Sequence, residues 1–254
     1  MKKVLITGMS GIIGSDLRRH LEDVGGYELS ALNRSPVEGV KWFQADIADL
    51  KEVEKACVGQ DTVVHLSAHL PDGEDGDIWE GNLSSNIIGT YNIYEAARRT
   101  GVKRVIFASS GAVMQGYYQL EPYKALREQR YADVPSKFTK LTESISHPGG
   151  IYGATKVWGE ALGRVYSDDH EISIICVRIA RVVAEDRPME PADYSRWGSK
   201  RDLSDMIQKC IEVSSDVRFD VFNFTSNNKW GYLDLEHAKE VLGWTPQDSA
   251  DPYL

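Results

Sequence analysis

Tyr152-Gly153-Ala154-Thr155-Lys156 places a phenol and an ammonium four residues apart, so a helix over this segment carries both on one face. A free phenol titrates at about pH 10 and is a poor base near neutrality. A lysine ammonium beside it favours the phenolate, which can then take a proton from a substrate hydroxyl as hydride leaves the carbon. Ser110, in Ser109-Ser110-Gly111, is placed to hydrogen-bond the same oxygen. Tyr-x-x-x-Lys arises by chance in many helices, so the assignment depends on the elements that position it.

A hydride carrier has its site in the first fifteen residues. Met1 to Ile6 reads as a short buried strand that runs into Thr7-Gly8-Met9-Ser10-Gly11-Ile12-Ile13-Gly14 and then into an amphipathic segment, Ser15 to Val24. Strand, glycine-rich turn and helix is the order in which a dinucleotide pyrophosphate is held. Gly8 permits a tight turn, Gly11 lets the backbone approach the phosphates, and Gly14 lets the helix lie close on the strand. The amides around Ser10, Gly11, Ile12 and Ile13 and the helix N-terminus then face the anion.

The second strand, Tyr27 to Leu32, ends at Asn33-Arg34-Ser35-Pro36, where such a fold meets the adenosine ribose. A neutral residue followed by arginine suits the extra phosphate of NADP; the alternative is a solvated turn arginine. Val40 to Ala45 leads to Asp46-Ile47, with Asp46 placed to accept from the adenine amino group or else to cap the short helix Leu50–Cys57. Asp61 to Leu66 is a buried strand whose exit, Leu66-Ser67-Ala68, is small enough for a flat cofactor to pass. His65 in that apolar run reads as a core histidine.

Residues 69–80 are acidic and loop-like, and Asn82 to Thr100 reads as one long helix. The strand Val102–Ala108 delivers Ser109-Ser110-Gly111 at its C-terminal end, where catalytic groups sit in doubly wound sheets. Residues 116–150 keep no sustained period and read as a substrate loop or lid, with a short helix near Tyr123–Tyr131. Ile151–Ser167 is a helix and Ile172–Val177 a strand. Arg201–Val213 is helical, Phe219–Phe224 a strand, and Asp234–Leu242 a final helix stopped by Gly243. The fold class is therefore α/β: a doubly wound parallel sheet over residues 1–178, with the substrate loop 111–150 and a small substrate lobe, 179–254, interwoven with it.

Among 254 residues, 42% are hydrophobic and 26% charged, as in an ordinary soluble enzyme, and no apolar run approaches the roughly 20 residues of a membrane span. The net charge of −9 argues against a nucleic-acid surface. No signal peptide is visible, since Met1 leads at once into a strand. Cys57, Cys176 and Cys210 are sparse and odd in number, which fits a reducing cytoplasm. Ile87, Ile88, Tyr91 and Tyr94, with Val157, Trp158 and Leu162, offer more apolar surface than one sheet face covers, so a homodimer through helices 82–100 and 151–167 is expected.

Thr7 to Gly14, Asp46-Ile47, His65 to Ala68, Asn86 to Thr90, Phe107 to Ser110, Tyr152 with Lys156, and Val177-Arg178-Ile179 together resemble an extended short-chain dehydrogenase/reductase of the NAD-dependent epimerase/dehydratase superfamily. In the tail, Trp197 to Leu203, Asn227-Asn228 and Leu242 to Asp248 resemble the branch of uronate dehydrogenases and archaeal glucose-6-phosphate dehydrogenases. The resemblance implies oxidation of the anomeric hydroxyl of an unactivated sugar to a lactone, with Ser110, Tyr152 and Lys156 as triad. It implies that Lys156 also holds the nicotinamide ribose, that Asn86 positions that lysine through water, and that Ile179 borders the cofactor. Arg178 resembles the arginine that meets the acidic end of a uronate, its alternative being a structural role. Gly111 borders the substrate, and Gly111-Ala112 stands where that branch has Asn-His, so two polar groups for the sugar are missing. The branch mostly uses NAD and carries Asp where this chain has Asn33; the residues favour NADP, with NAD binding still expected. A nucleotide-sugar epimerase or dehydratase shares the triad but needs a larger C-terminal lobe. A cofactor-sensing protein without chemistry would tend to lack the tyrosine. The basic residues Arg178, Arg181, Arg187, Arg196, Lys200 and Arg201 suit an anionic sugar, or else a salt-bridged lobe.

Overall fold

The computed structural model describes residues 1–70 and 79–254. Most of the acidic loop expected over 69–80 thus lies outside the described residues.

Strands β1 (Lys2–Thr7), β2 (Tyr27–Asn33), β3 (Lys41–Gln44), β4 (Thr62–His65), β5 (Arg104–Ser110), β6 (Ser173–Ile179) and β7 (Phe219–Phe224) form one sheet of order β3-β2-β1-β4-β5-β6-β7. Every neighbouring pair is parallel. The chain winds outward from β1 to β3 and then restarts on the other side at β4. The strand order therefore reverses between β1 and β4, and a crevice opens at their C-terminal ends.

Alternate residues of these strands serve two cores, as the two-residue repeat of a strand requires. Val4, Ile6, Val64, Ile106, Ile175, Val177, Phe222 and Phe224 pack with Leu17 and Leu21 of α1 (Ile12–Val24) and with Leu203, Met206 and Ile207. The last three belong to α6 (Lys200–Glu212). On the other face Leu5, Val63, Val105, Phe107 and Ile174 pack with α2 (Leu50–Cys57), α3 (Thr90–Thr100) and α5 (Gly150–Asp169). Residues 179–254 do not stand apart as a lobe, because β7 extends the sheet and α6 packs on α1. The segment around Val183, Trp197 and Ala250 has a small core of its own.

Three expectations change. The helix expected over 82–100 begins as a π-helical segment, Asn82–Gly89, and becomes α-helical only at Thr90. Asn86 donates to Asn82 Oδ1 (2.8 Å) and to the His69 carbonyl (2.9 Å) and accepts from the His69 amide (2.9 Å). Two buried amides on one turn thus hold the chain leaving β4, at the kind of widened turn that often marks functional sites.

The loop 111–150 is ordered rather than featureless. It holds a 3₁₀ helix (Gly111–Gln119), α4 (Tyr123–Arg127) and a hydrophobic cluster shared with Tyr232 and Leu233. The helix stops before Tyr131 because Gln129 takes φ 56°, outside the helical region. The third change concerns the apolar surface expected to pair two subunits. Tyr94 is fully buried against Phe107 and Tyr166, while Ile88, Tyr91, Ile151 and Val165 are exposed. No helix among the described residues is long and apolar enough to cross a membrane.

Candidate active site

The cleft at the β1/β4 crevice encloses about 370 Å³ and is lined by Gly8, Ser10, Gly11, Ile12, Ile13, Asn33, Arg34, Asp46, Ile47, Leu66, Ser67 and Ala68. These are the expected cofactor residues, brought together from four strand ends. Gly14, Leu32, Ser35 and Ala45 lie between them in the chain, and Leu70, Ser85 and Val182, which no residue type or spacing in the sequence announced, complete the wall. Asn86, Lys156 and Ile179 do not line it.

The residues fit a dinucleotide. Gly8 sits at φ +71°, which L side chains rarely adopt, and α1 begins at Gly11 with no side chain capping its first turn. A Cβ on Gly14 would stand 2.4 Å from the Gly8 carbonyl oxygen and 2.6 Å from Met9 Cα, so only glycine lets the helix lie this close. The uncapped amides and the positive end of the helix dipole are what a pyrophosphate needs.

Asn33 is 7% exposed and wired into this loop, its Oδ1 accepting from Met9 N (2.8 Å) and its Nδ2 donating to Ser10 Oγ (2.6 Å). Asp46 accepts from Ala48 N (2.9 Å), while the capping of α2 falls to Asp49, which accepts from Lys51 N and Glu52 N. His65 is a core residue, as expected. Its Nδ1 lies 2.9 Å from Thr7 Oγ1, and burial, aided by the Lys156 charge, pushes its pKa down to about 3.

The triad residues meet. The Ser110 hydroxyl accepts from Ala112 N (3.1 Å) and stands beside the Tyr152 phenol, whose ionised form it favours. Lys156 Nζ lies 5.6 Å from the Tyr152 ring centre and donates to the Ala108 carbonyl (2.8 Å). Burial lowers the Lys156 ammonium to about 8, opposed by the Glu160 carboxylate. The phenol moves against expectation: burial raises its pKa, and the Ser110 hydroxyl opposes this only in part. Removal from water penalises the phenolate more than the neighbouring groups favour it.

Arg178 is a correction. It is 3% exposed, with Nε and Nη2 donating to the two Glu160 oxygens (2.9 and 2.8 Å) and Nη1 to the Ile145 carbonyl (2.9 Å). A guanidinium paired in this way is not available to a substrate anion, so the structural role holds. Asn86 likewise bonds Asn82 and His69, whereas the Lys156 amine is held by Ala108. Gly111 is explained by its neighbours. A Cβ there would come within 3.3 Å of Ala180 Cα and of Tyr118 Oη, and that hydroxyl donates to the Gly111 carbonyl (3.1 Å).

A parallel doubly wound sheet, a glycine turn at an uncapped helix and a Ser-Tyr-Lys cluster at the next strand end define a dinucleotide-binding enzyme of the short-chain dehydrogenase/reductase type. Residues 4–218 match the model of the NAD dependent epimerase/dehydratase family, and the chain belongs to that family. It is 30% identical to an NAD-dependent glucose-6-phosphate dehydrogenase of Haloferax volcanii, over 97% of this chain and 94% of the relative. It is 32% identical to a uronate dehydrogenase of Agrobacterium fabrum, over 100% of this chain and 87% of the relative. The crystal structure of uronate dehydrogenase from Agrobacterium tumefaciens superposes with a TM-score of 0.83 at 30% identity, covering 100% of this chain and 87% of that one.

Proposed function

We propose that the protein is an NAD(P)-dependent dehydrogenase that oxidises the anomeric hydroxyl of an unactivated sugar or sugar acid to a lactone. The observation that carries this reading is the Lys156 ammonium 5.6 Å from the Tyr152 ring centre, with the Ser110 hydroxyl beside the phenol. Tyr152 would take the proton of the substrate hydroxyl, Ser110 would hold the oxygen, and Lys156 would favour the ionised phenol. A nicotinamide bound in the cleft would supply the hydride acceptor. Relatives matched nearly end to end are sugar dehydrogenases, which favours this over an epimerase. Reduction of either cofactor at 340 nm across a panel of sugars, sugar acids and sugar phosphates tests it; no turnover on any of them would remove the reading.

Arg181 and Arg196 stand 3.6 and 3.3 Å from the buried Asp193 carboxylate, after the end of β6, which favours the salt-bridged reading of these basic residues. The Nε of each is buried with no acceptor among the described residues.

NADP is our choice of cofactor, with NAD binding also expected. Asn33 presents no carboxylate to repel a 2′-phosphate, and the exposed Arg34 lines the cleft with its guanidinium unpaired among the described residues. A charge-assisted contact is worth ~1.5–3 kcal/mol, or about tenfold or more in affinity. Calorimetry should therefore show Arg34→Ala weakening NADP by that factor and leaving NAD unchanged. Tighter NAD binding with no effect of the substitution on NADP would make Arg34 a surface residue.

We further propose a homodimer through Leu83, Ile88, Tyr91, Ile151 and Val165, the large apolar residues left exposed on the two helical segments. Light scattering at micromolar concentration should give twice the mass of 28.4 kDa. A monomer there contradicts it. The three buried, unpaired thiols suit a reducing cytoplasm.

A further inference from the structure

Four residues beyond Lys156 on the face of α5 that carries Tyr152, Glu160 is 7% exposed and reaches two strands at once. Ser109 Oγ donates to its Oε1 (2.5 Å), and Arg178 binds both oxygens. Ser109 and Arg178 are register partners on β5 and β6, so their side chains leave the same side of the sheet and converge on one carboxylate. The approach is close enough because α5 has no side chain at Gly159, where a Cβ would stand 2.5 Å from Phe107 Cζ. Ser109 directly precedes Ser110, and Arg178 reaches on to the Ile145 carbonyl in the loop 111–150.

We propose that Glu160 is a positioning residue. Its carboxylate sets β5, and with it the Ser110 hydroxyl, against the Tyr152/Lys156 face of α5, and through Arg178 it anchors the loop 111–150 beside the site. This rests on the dehydrogenase reading for its kinetic consequence but not for its structural one. A carboxylate so close to Lys156 also favours the ammonium, which burial disfavours. The other titratable groups facing Lys156 are Tyr152 on the same helix, His65 on β4 and Cys176 on β6. His65 is neutral near pH 7, and burial raises the Cys176 thiol and keeps it protonated. Glu160 is therefore the anion that sustains the lysine's charge.

The test uses Glu160→Gln, the double variant Glu160→Gln/Arg178→Gln, which leaves no unpaired buried cation, and Glu160→Asp, which keeps the charge. Turnover of both Gln variants should fall ~10–100-fold, as for a displaced catalytic geometry, with cofactor affinity changed less than about threefold. The alkaline limb of kcat/KM should move to lower pH by about one unit in the Gln variants and return towards its native position in Glu160→Asp. Trypsin should cut the double variant faster at the exposed Lys137 and Lys140 of the loop. Cofactor titration and proteolysis need no substrate, so they report on Glu160 even if sugar oxidation is not found. Native proteolysis in the double variant would overturn the anchoring role. An unmoved alkaline limb, with turnover lost only in proportion to the folded fraction, would overturn the positioning role.

Discussion

Tyr152→Phe should lower turnover by at least the ~10²-fold typical of a lost general acid–base group while leaving cofactor binding nearly unchanged. The phenol oxygen is the only heavy atom removed, and it is the proton acceptor of the proposed mechanism. The ring stays beneath the Lys156 ammonium, and the cleft walls do not include residue 152. Steady-state rates on a substrate found in the panel, with the cofactor dissociation constant measured separately, would check both halves. Near-normal turnover would show that another group takes the proton and would end the mechanism.

The second large effect is on cofactor binding and stability together. Gly14→Ala puts a methyl group 2.4 Å from the Gly8 oxygen and 2.8 Å from Met9 C, and both neighbours are backbone. Neither can swing away as a side chain would, so α1 must lift from the turn. Overpacking of this kind costs about 1–3 kcal/mol, which in a chain of this size lowers Tm by roughly 2–12 °C. The amides that face the pyrophosphate move with the helix, so affinity for either cofactor should fall at least about tenfold. Calorimetric melting and titration of the same sample would measure the pair. An unchanged affinity would mean that the phosphate site does not depend on this helix contact.

The elements carrying these predictions were legible because their signals are local. β1, the glycine turn and α1 follow from glycine spacing and a short apolar run, and Tyr152 with Lys156 from helical periodicity. The inner strands β4, β5 and β6 are buried on both faces, so their apolar runs stand out. Other features depend on partners far away in sequence. Arg178 looks like an anion ligand until Glu160, on another element, is seen to hold it. The loop 111–150 looks shapeless because its core lies in Tyr232 and Leu233, roughly a hundred residues on, where Leu141 N donates to the Tyr232 carbonyl at 2.8 Å. Leu70, Ser85 and Val182 reach the cleft only because three separate chain segments pass its rim.

The bonding of Asn33 bears on how this lineage can change. Its amide touches the loop twice, taking a hydrogen bond from Met9 N and giving one to the Ser10 hydroxyl. A serine hydroxyl both donates and accepts, so aspartate at position 33 could keep both contacts once that hydroxyl turned to donate. The new carboxylate would then face the cleft from a position already packed for its shape. Exchange of one atom type at the end of β2 could reverse the sign of the field there while the glycine turn keeps its form. Charge at the end of β2 and the architecture of the glycine turn are thus separable in this protein.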